Sequence, residues 1–561
     1  MSVWSLIGPL IPIGGLAFAL WYGSVLRARR ALAARRASWS RPIDRPRDVV
    51  GIAGYHVMRD ATGAHSVDDR TWGDLDMDDV FADVDRTSSR LGAQVLYDRL
   101  RSSPAGAHLR VFEQMVEHFR GDRERRERAQ IALERLHDDA ALHLWQLGQP
   151  DALPDEPWHV VFPIIASVMA LLLLLAAAWP VLLALVAAGT LVNLLIRVWT
   201  APRVGGVLAA FRQLSPLIAA AEVLRTLTEP EWSPLTGALT DDTAQLAKLR
   251  NLARWAGRDT LTGDRLTQTI FAYLNLLFLI DANALFFAAR HLRTHGETLL
   301  RVIQTVGEID AAIAVASWRA GATGWSTPHF MPPGAPAVFE AVRHPLVRNA
   351  VPSSITLGPP RGLLVTGANM AGKSTFVRTV GVTTILAQTV HTCLAARYAA
   401  PMRVVRSALR VDDDLLTGRS YYLVEVETIV RLVAAARSGT PHLFLLDELF
   451  RGTNAVERVA AAEAVLATLV EAPNGAMPHV TIAATHDGEL VHLLHASFET
   501  VHFADAIGPD GLVFDYRLRP GPTSTRNAIA LLQLNGAPET LLARARASAA
   551  VLDARNDESR R

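Results

Sequence analysis

The sequence predicts an α/β domain of the phosphate-loop kind, C-terminal to a mainly α-helical core or lever region with transmembrane helices. Three observations predict it. TGANMAGKST (Thr366 to Thr375) follows an apolar strand and opens a helix. HLFLLDELF (His442 to Phe450) is an apolar strand that ends in two carboxylates. Val3 to Leu26 and Pro157 to Ile196 contain no Asp, Glu, Lys or Arg.

The composition agrees with this division. The chain has 561 residues, half of them hydrophobic and 20% charged, with a mean hydropathy of +0.19 that leans toward membrane association. A formal net charge of +1 says nothing about nucleic acid, since a local basic surface is compatible with it. The single cysteine, Cys393, excludes an internal disulfide framework and a cysteine-rich metal site. Lysine is confined to Lys248 and Lys373, and the second lies in the glycine-bounded loop.

Val3 to Leu26 spans 24 residues, about 36 Å as a helix, enough for a hydrocarbon core of about 30 Å. Arg27, Arg29, Arg30, Arg35, Arg36 and Arg41 follow it. By the positive-inside bias this is a retained anchor whose C-terminal flank is cytoplasmic. Pro157 to Ile196 spans 40 residues, about twice what one span needs, and Trp179-Pro180 breaks it near the middle. A transmembrane hairpin is expected. Phe271 to Ala289 is also apolar but carries Asn275, Asp281 and Asn283. Because a further span would export everything after it, this stretch is expected to be a buried core helix. The acidic run Asp74, Asp76, Asp78 and Asp79 reads as solvated charge rather than a metal cluster.

The expected organisation is an anchor (1–26), a basic juxtamembrane linker (27–70), a first part of the helical core (71–156) and the hairpin (157–198). A second core or lever part (199–335), the ATPase domain (336–545) and a charged tail (546–561) follow. The expected location is the inner (cytoplasmic) membrane, with the ATPase domain in the cytoplasm.

In the loop Gly367, Ala368, Asn369, Met370, Ala371, Gly372, Lys373, Ser374 and Thr375 are the expected ATP-binding residues. The two glycines let backbone N–H groups face phosphate oxygens, and the helix N-terminus adds its dipole. Lys373 would neutralise the β- and γ-phosphates, and Ser374 with Asp447 would hold Mg²⁺. Glu448 is the expected general base, and His486, after the strand Val480 to Ala484, a contact to the γ-phosphate; with Lys373 they form the catalytic set. Gly418, Arg419 and Ser420 precede a helical pattern and form a second anion-facing helix start.

These motifs resemble the MutS family of DNA mismatch-repair ATPases. TGANMAGKST resembles that family's TGPNMGGKST, with Ala368 and Ala371 as departures. GRSYYLVEVETI (Gly418 to Ile429) resembles its signature helix, and DELFRGTN (Asp447 to Asn454) its DEIGRGTS. ATHDGEL, HPLV (His344 to Val347) and GPTSTRNAIALLQLNGAPETLLARA (Gly521 to Ala545) complete the match. DVDRTSSRLGAQVLYDRLRSSP (Asp83 to Pro104) looks like the start of the family's helical core, and Val204 to Ala322 like its lever. The resemblance implies an ABC/MutS-type sandwich dimer with two composite ATP sites. Gly418, Arg419 and Ser420 would then meet the partner's γ-phosphate in trans.

The departures bear on function. The family's mismatch-probing Phe-x-Glu occurs nowhere in this chain. An aromatic to stack on adenine is not evident near Ala350-Val351. The expected partners are therefore a second copy and the membrane, with double-stranded DNA as a candidate and mismatch recognition not expected. An exporter of the ATP-binding-cassette type, or a DNA tether controlled by nucleotide state, stand as alternatives.

Overall fold

The structure is a computed structural model. It describes residues 22–559 except 24–25, 27–29, 31, 61–66, 103–105, 151, 154–156, 257–264, 359–361, 369–370, 410–420, 472–477, 509–510 and 524–527. Most of the N-terminal anchor Val3 to Leu26 therefore lies outside the described residues. The chain divides into two compact units. One comprises residues 1–64, 81–100 and 104–322; the other comprises 65–80, 101–103 and 323–561.

The helices used below are α1 (Asp69–Asp74), α2 (Arg90–Arg101), α3 (Gly106–Gly121), α4 (Arg123–Leu133), α5 (Val161–Ala176), α6 (Leu183–Arg212), α7 (Arg265–Phe278) and α8 (Ile280–Gly321). They continue with α9 (Lys373–Val390), α10 (Tyr421–Ala436) and α11 (Ala455–Val470). The strands are β1 (His329–Phe330), β2 (Ala337–Val342), β3 (Ser353–Leu357), β4 (Gly362–Gly367), β5 (Arg397–Ala400), β6 (Val404–Ala408), β7 (His442–Asp447), β8 (Val480–Ala484), β9 (Phe498–Gly508) and β10 (Gly511–Pro520).

The first unit is helical. The C-terminal half of α8 is its axis, because nearly every residue from Val302 to Arg319 is buried. Small residues set how closely α2 approaches it. A Cβ on Gly307 would lie 2.3 Å from Val95 Cγ2, so only glycine fits at that crossing. Buried charges are matched. Arg99 donates to Glu308 at 2.7 Å and its guanidinium lies over the Phe112 ring at 3.6 Å. Asp310 accepts from the Ser88 and Ser89 amides at 2.9 and 2.8 Å, tying α8 to the start of α2. Arg36 forms a bidentate pair with Glu127 of α4, so part of the basic run after the expected anchor is ion-paired to the helical unit.

The stretch of the expected hairpin holds α5, a shorter apolar helix of 16 residues, and α6, which runs on to Arg212. The chain leaves the helix after Ala176 and resumes with Pro180 at the first position of a short 3₁₀ turn, where a missing N–H costs nothing. Pro180–Thr200 has a mean hydropathy of 2.2 with only 11% of its residues buried, and Gly205–Leu224 is also long and apolar enough to cross a membrane. The stretch Phe271 to Ala289 is not one buried core helix. It breaks at Leu279, which is left-handed at φ 48°, so α7 and α8 meet at a 68° bend. Tyr273 is 65% exposed.

The second unit contains a six-stranded sheet of order β10-β9-β4-β8-β7-β6 and a four-stranded sheet of order β1-β5-β2-β3. In the larger sheet all neighbours pair in parallel except β9 with β10. β4, β7 and β8 lie inside it and are apolar almost throughout, as parallel strands covered on both faces must be. Phe444, Leu446 and Ala483 pack on one face against Ile429 and Leu432 of α10 and Leu466 and Leu469 of α11.

The acidic run preceding the helical core joins this unit. Asp74, read from the sequence as solvated, is buried: it accepts from Ser407 Oγ at 2.6 Å and from the Leu409 amide at 2.9 Å. Its neighbour Leu75 is fully buried near Gly381 of α9. One buried carboxylate thus ties α1 to the β6 edge of the sheet. Among the described residues, no group of three or more His, Cys, Asp or Glu could hold a metal ion.

Candidate active site

β4 is buried along its whole length, so the turn that leaves it has a rigid base. Gly367 adopts φ +136°, and a Cβ there would stand 2.6 Å from the Phe503 carbonyl oxygen. Gly372, at φ +108°, ends the loop and precedes Lys373, the first residue of α9. The Ala371 amide donates to the Ala368 carbonyl at 3.2 Å across the turn. Asn369 and Met370 lie outside the described residues, as do Gly418, Arg419 and Ser420 of the expected signature.

Lys373 is buried. Its Nζ donates to the carbonyls of Gly367 at 2.8 Å and Ala368 at 3.1 Å and stands 3.9 Å from Glu448 Oε1. Burial lowers its pKa, while Glu448 and Asp447 oppose the shift. Ser374 Oγ donates to Asp447 Oδ2 at 2.5 Å. Asp447 is held above the usual carboxylate range by burial, with the Ser374 bond acting in the other direction. Its second oxygen, Oδ1, is buried without a hydrogen-bond partner.

β7 ends in a distorted turn. Glu448 has φ +47° and Phe450 φ +58°, a conformation that costs non-glycine residues roughly 1–2 kcal/mol each. Two contacts hold it. The Glu448 amide donates to the Ala484 carbonyl at 2.9 Å, and the Phe450 amide donates to Glu425 Oε1 of α10 at 2.5 Å. The Glu448 side chain is nearly buried. It pairs with Arg451 and lies 3.4 Å from His486 Nδ1. His486 is half-exposed. It follows Thr485, whose amide donates to the Val365 carbonyl at 3.0 Å, and precedes Asp487, clasped by two bonds from Arg458 of α11.

The tertiary structure thus brings Lys373, Ser374, Asp447, Glu448 and His486 together. Lys373, Ser374 and Glu448 line a cleft of about 760 Å³ together with His344, residues 347–351, Ala368 and Thr375, and Asp447 and His486 adjoin it through Ser374 and Glu448. Burial pushes His344 down to about 4, so it is neutral here near pH 7.

Three contributors were not evident in the sequence. Glu425, inside the helical pattern after Ser420, supports the turn at Phe450. Arg451 lines the cleft and pairs with Glu448. Tyr516 lines it too. It has φ +55° at a register shift between Phe514 and Leu518 of β10, and its Cδ1 lies 3.4 Å from an ideal Cβ position on Gly372. The bulge turns an aromatic toward the loop from a hairpin that pattern alone would leave solvent-facing. A tyrosine in a strand gives no such signal in sequence.

Residues 363–553 match the family MutS domain V. The DNA mismatch repair protein MutS of Thermus caldophilus is 32% identical over 269 residues, which is 47% of this chain and 32% of that protein. The MutS of Thermus aquaticus matches to the same extent. The DNA mismatch repair protein MutS 2 of Halobacterium salinarum is 34% identical over 255 residues, 44% of this chain and 29% of that protein. The match spans about a third of the length of these relatives. Residues 363–553 thus carry a MutS domain V, and the C-terminal half of the chain is similar to the corresponding part of MutS and MutS 2 proteins.

Proposed function

We propose that the protein is a membrane-anchored, Mg²⁺-dependent ATP hydrolase of phosphate-loop type, working as a sandwich dimer that moves its helical unit. The observation that carries this reading is the convergence of Lys373, Ser374, Asp447 and Glu448 on the glycine-bounded turn after β4.

The donor set fits Mg²⁺. A hydroxyl and a carboxylate sit 2.5 Å apart, and the carboxylate keeps a buried oxygen without a hydrogen-bond partner, oxygen chemistry suited to a hard cation. Ser374 and Asp447 would hold the ion, whose role is to neutralise charge on the phosphates. Lys373, bound here to loop carbonyls, supplies positive charge to the same region. Glu448 orients a water and takes its proton as the water oxygen forms its bond to the γ-phosphorus and the bond to the bridging oxygen breaks. Its carboxylate must first leave Arg451, so that pairing resists hydrolysis before nucleotide binds. His486 reports on the γ-phosphate from the neighbouring strand end. Tyr516 offers the cleft an aromatic face for the base.

The anchoring part of the reading rests on α5 and α6, with Pro180–Thr200 apolar and little buried. Double-stranded DNA is a candidate ligand because the similar proteins are DNA mismatch repair proteins. Mismatch recognition is not proposed, since no Phe-x-Glu occurs in the sequence.

The test is steady-state hydrolysis by the purified chain with Glu448→Gln, expected to abolish turnover while ATP binding persists. Unchanged turnover would remove Glu448 from its role. Duplex-DNA binding at low salt, with and without ATP, separates the DNA reading from action on a membrane partner.

A further inference from the structure

The polarity of the α5–α6–α7 region is inverted. Asn193 of α6 is fully buried, yet its neighbours Leu191, Leu194 and Leu195 are 58%, 43% and 62% exposed. On α7, Asn275 is 5% exposed while Tyr273 and Leu274 are 65% and 40% exposed. Water selects the opposite arrangement, whereas hydrocarbon selects polar groups facing inward and apolar groups facing outward.

The buried polar groups have a definite task. The break at Leu279 leaves the carbonyls at the end of α7 without intrahelical donors. Asn193 Nδ2 donates to Leu276 and Leu277 oxygens at 3.1 and 2.8 Å. Asn283 Nδ2 donates to Phe278 and Leu279 oxygens at 2.8 and 3.1 Å. Asn275 secures the start of α8: its Oδ1 accepts from the Asp281 amide at 3.0 Å, and its Nδ2 donates to Asp281 Oδ2 at 2.6 Å. Arg212 reaches the same carboxylate oxygen at 3.1 Å. In water a frayed helix end is hydrated at no great cost; full capping by side chains is what a lipid setting demands.

We propose that α7 is a third bilayer-embedded helix, packed with α5 and α6, and that Asn193, Asn275 and Asp281 hold its broken end inside the membrane. The occupant of the exposed apolar face is lipid acyl chain. On α6 the exposed Leu183, Leu185, Leu191, Val192, Leu194 and Leu195 spread over about 200° of the helix circumference, wider than the stripe of about 100° that one packed partner covers. The proposal rests on the membrane reading of α5 and α6, and it sets the Asp281–Arg212 ion pair at the same broken end, within the membrane.

The experiment uses the full chain in proteoliposomes, with Cys393→Ala and single cysteines labelled with a small fluorophore. Quenching by phosphatidylcholine carrying nitroxides on its acyl chains reports lipid contact. The positions are Leu195→Cys on α6, Tyr273→Cys on α7 and Ile131→Cys on α4 as the control. The expected result is quenching at 195 and 273 several-fold above that at 131. Quenching at 195 with 273 at the control level would overturn the third helix and leave the hairpin intact. Control-level quenching at both would overturn the membrane reading itself and point to a protein partner or a second copy. Adding Asn193→Leu to the Tyr273→Cys chain is expected to reduce quenching at 273 several-fold; no change would remove the holding role of Asn193.

Discussion

Ser374 and Asp447 are 73 positions apart in the chain and share one hydrogen bond of 2.5 Å. The bond joins the first turn of α9 to the end of β7, and the far oxygen of Asp447 is left buried without a hydrogen-bond partner. Replacing either side should therefore weaken the response to Mg²⁺ before it affects the fold. Asp447→Asn is expected to lower kcat by roughly 10²–10³ and to flatten the dependence of turnover on Mg²⁺ concentration. Titrating turnover with Mg²⁺ at saturating ATP checks both.

Tyr516 predicts a different signature. If its ring faces the base, Tyr516→Ala should raise KM for ATP about tenfold, the scale of one lost base–aromatic stack, with kcat nearly unchanged. Tyr516→Phe should retain the wild-type KM. Steady-state kinetics of the two variants separate stacking from hydroxyl chemistry.

His442 of β7 predicts acid sensitivity. His442 is stacked on Phe444, with ring centroids 5.2 Å apart, and burial lowers its pKa from 6.5 to about 4. The folded state therefore resists protonation more than the unfolded state does. The stability this provides is complete above pH 6.5 and is lost as pH falls from there toward 4. His344 acts in the same direction over the same window. His442→Phe should shrink the loss between pH 7 and pH 4.5 by about 1–3 kcal/mol, read from denaturant unfolding of the second unit's signal at each pH.

Gly307 tests the packing of the helical unit. A methyl group there meets Val95 Cγ2 at 2.3 Å. Gly307→Ala should destabilise the unit by roughly 1–3 kcal/mol, although alanine favours a helix by about 1 kcal/mol elsewhere. Pairing it with Val95→Ala should recover much of the loss, measured as Tm.

Much of the candidate site was legible because its chemistry is local. A glycine-bounded loop before Lys373 and an apolar strand ending at Asp447 and Glu448 each declare themselves within a short stretch of sequence. The break between α5 and α6 was legible too, since Pro180 acts on its own backbone. Asp74 was misread because its partners, Ser407 Oγ and the Leu409 amide, lie more than 300 residues away; a carboxylate in an acidic run has no local mark of burial. Leu279 was likewise invisible. Nothing about a leucine forecasts φ 48°, and the break exists because Asn193 and Asn283 cap what it exposes.

By itself the sequence determined the kind of domain this chain carries, its loop lysine and strand-end carboxylates, and the apolar length of its hairpin. Those follow from backbone preference and side-chain chemistry at fixed spacing. Only the tertiary structure decided that Glu448 lies against His486, that Glu425 supports the turn at Phe450, that Tyr516 faces the cleft, and that a buried asparagine caps a broken apolar helix. Each depends on a contact between segments distant in the chain. Such contacts form where packing leaves a buried donor or acceptor that must be satisfied, and no local pattern encodes that requirement.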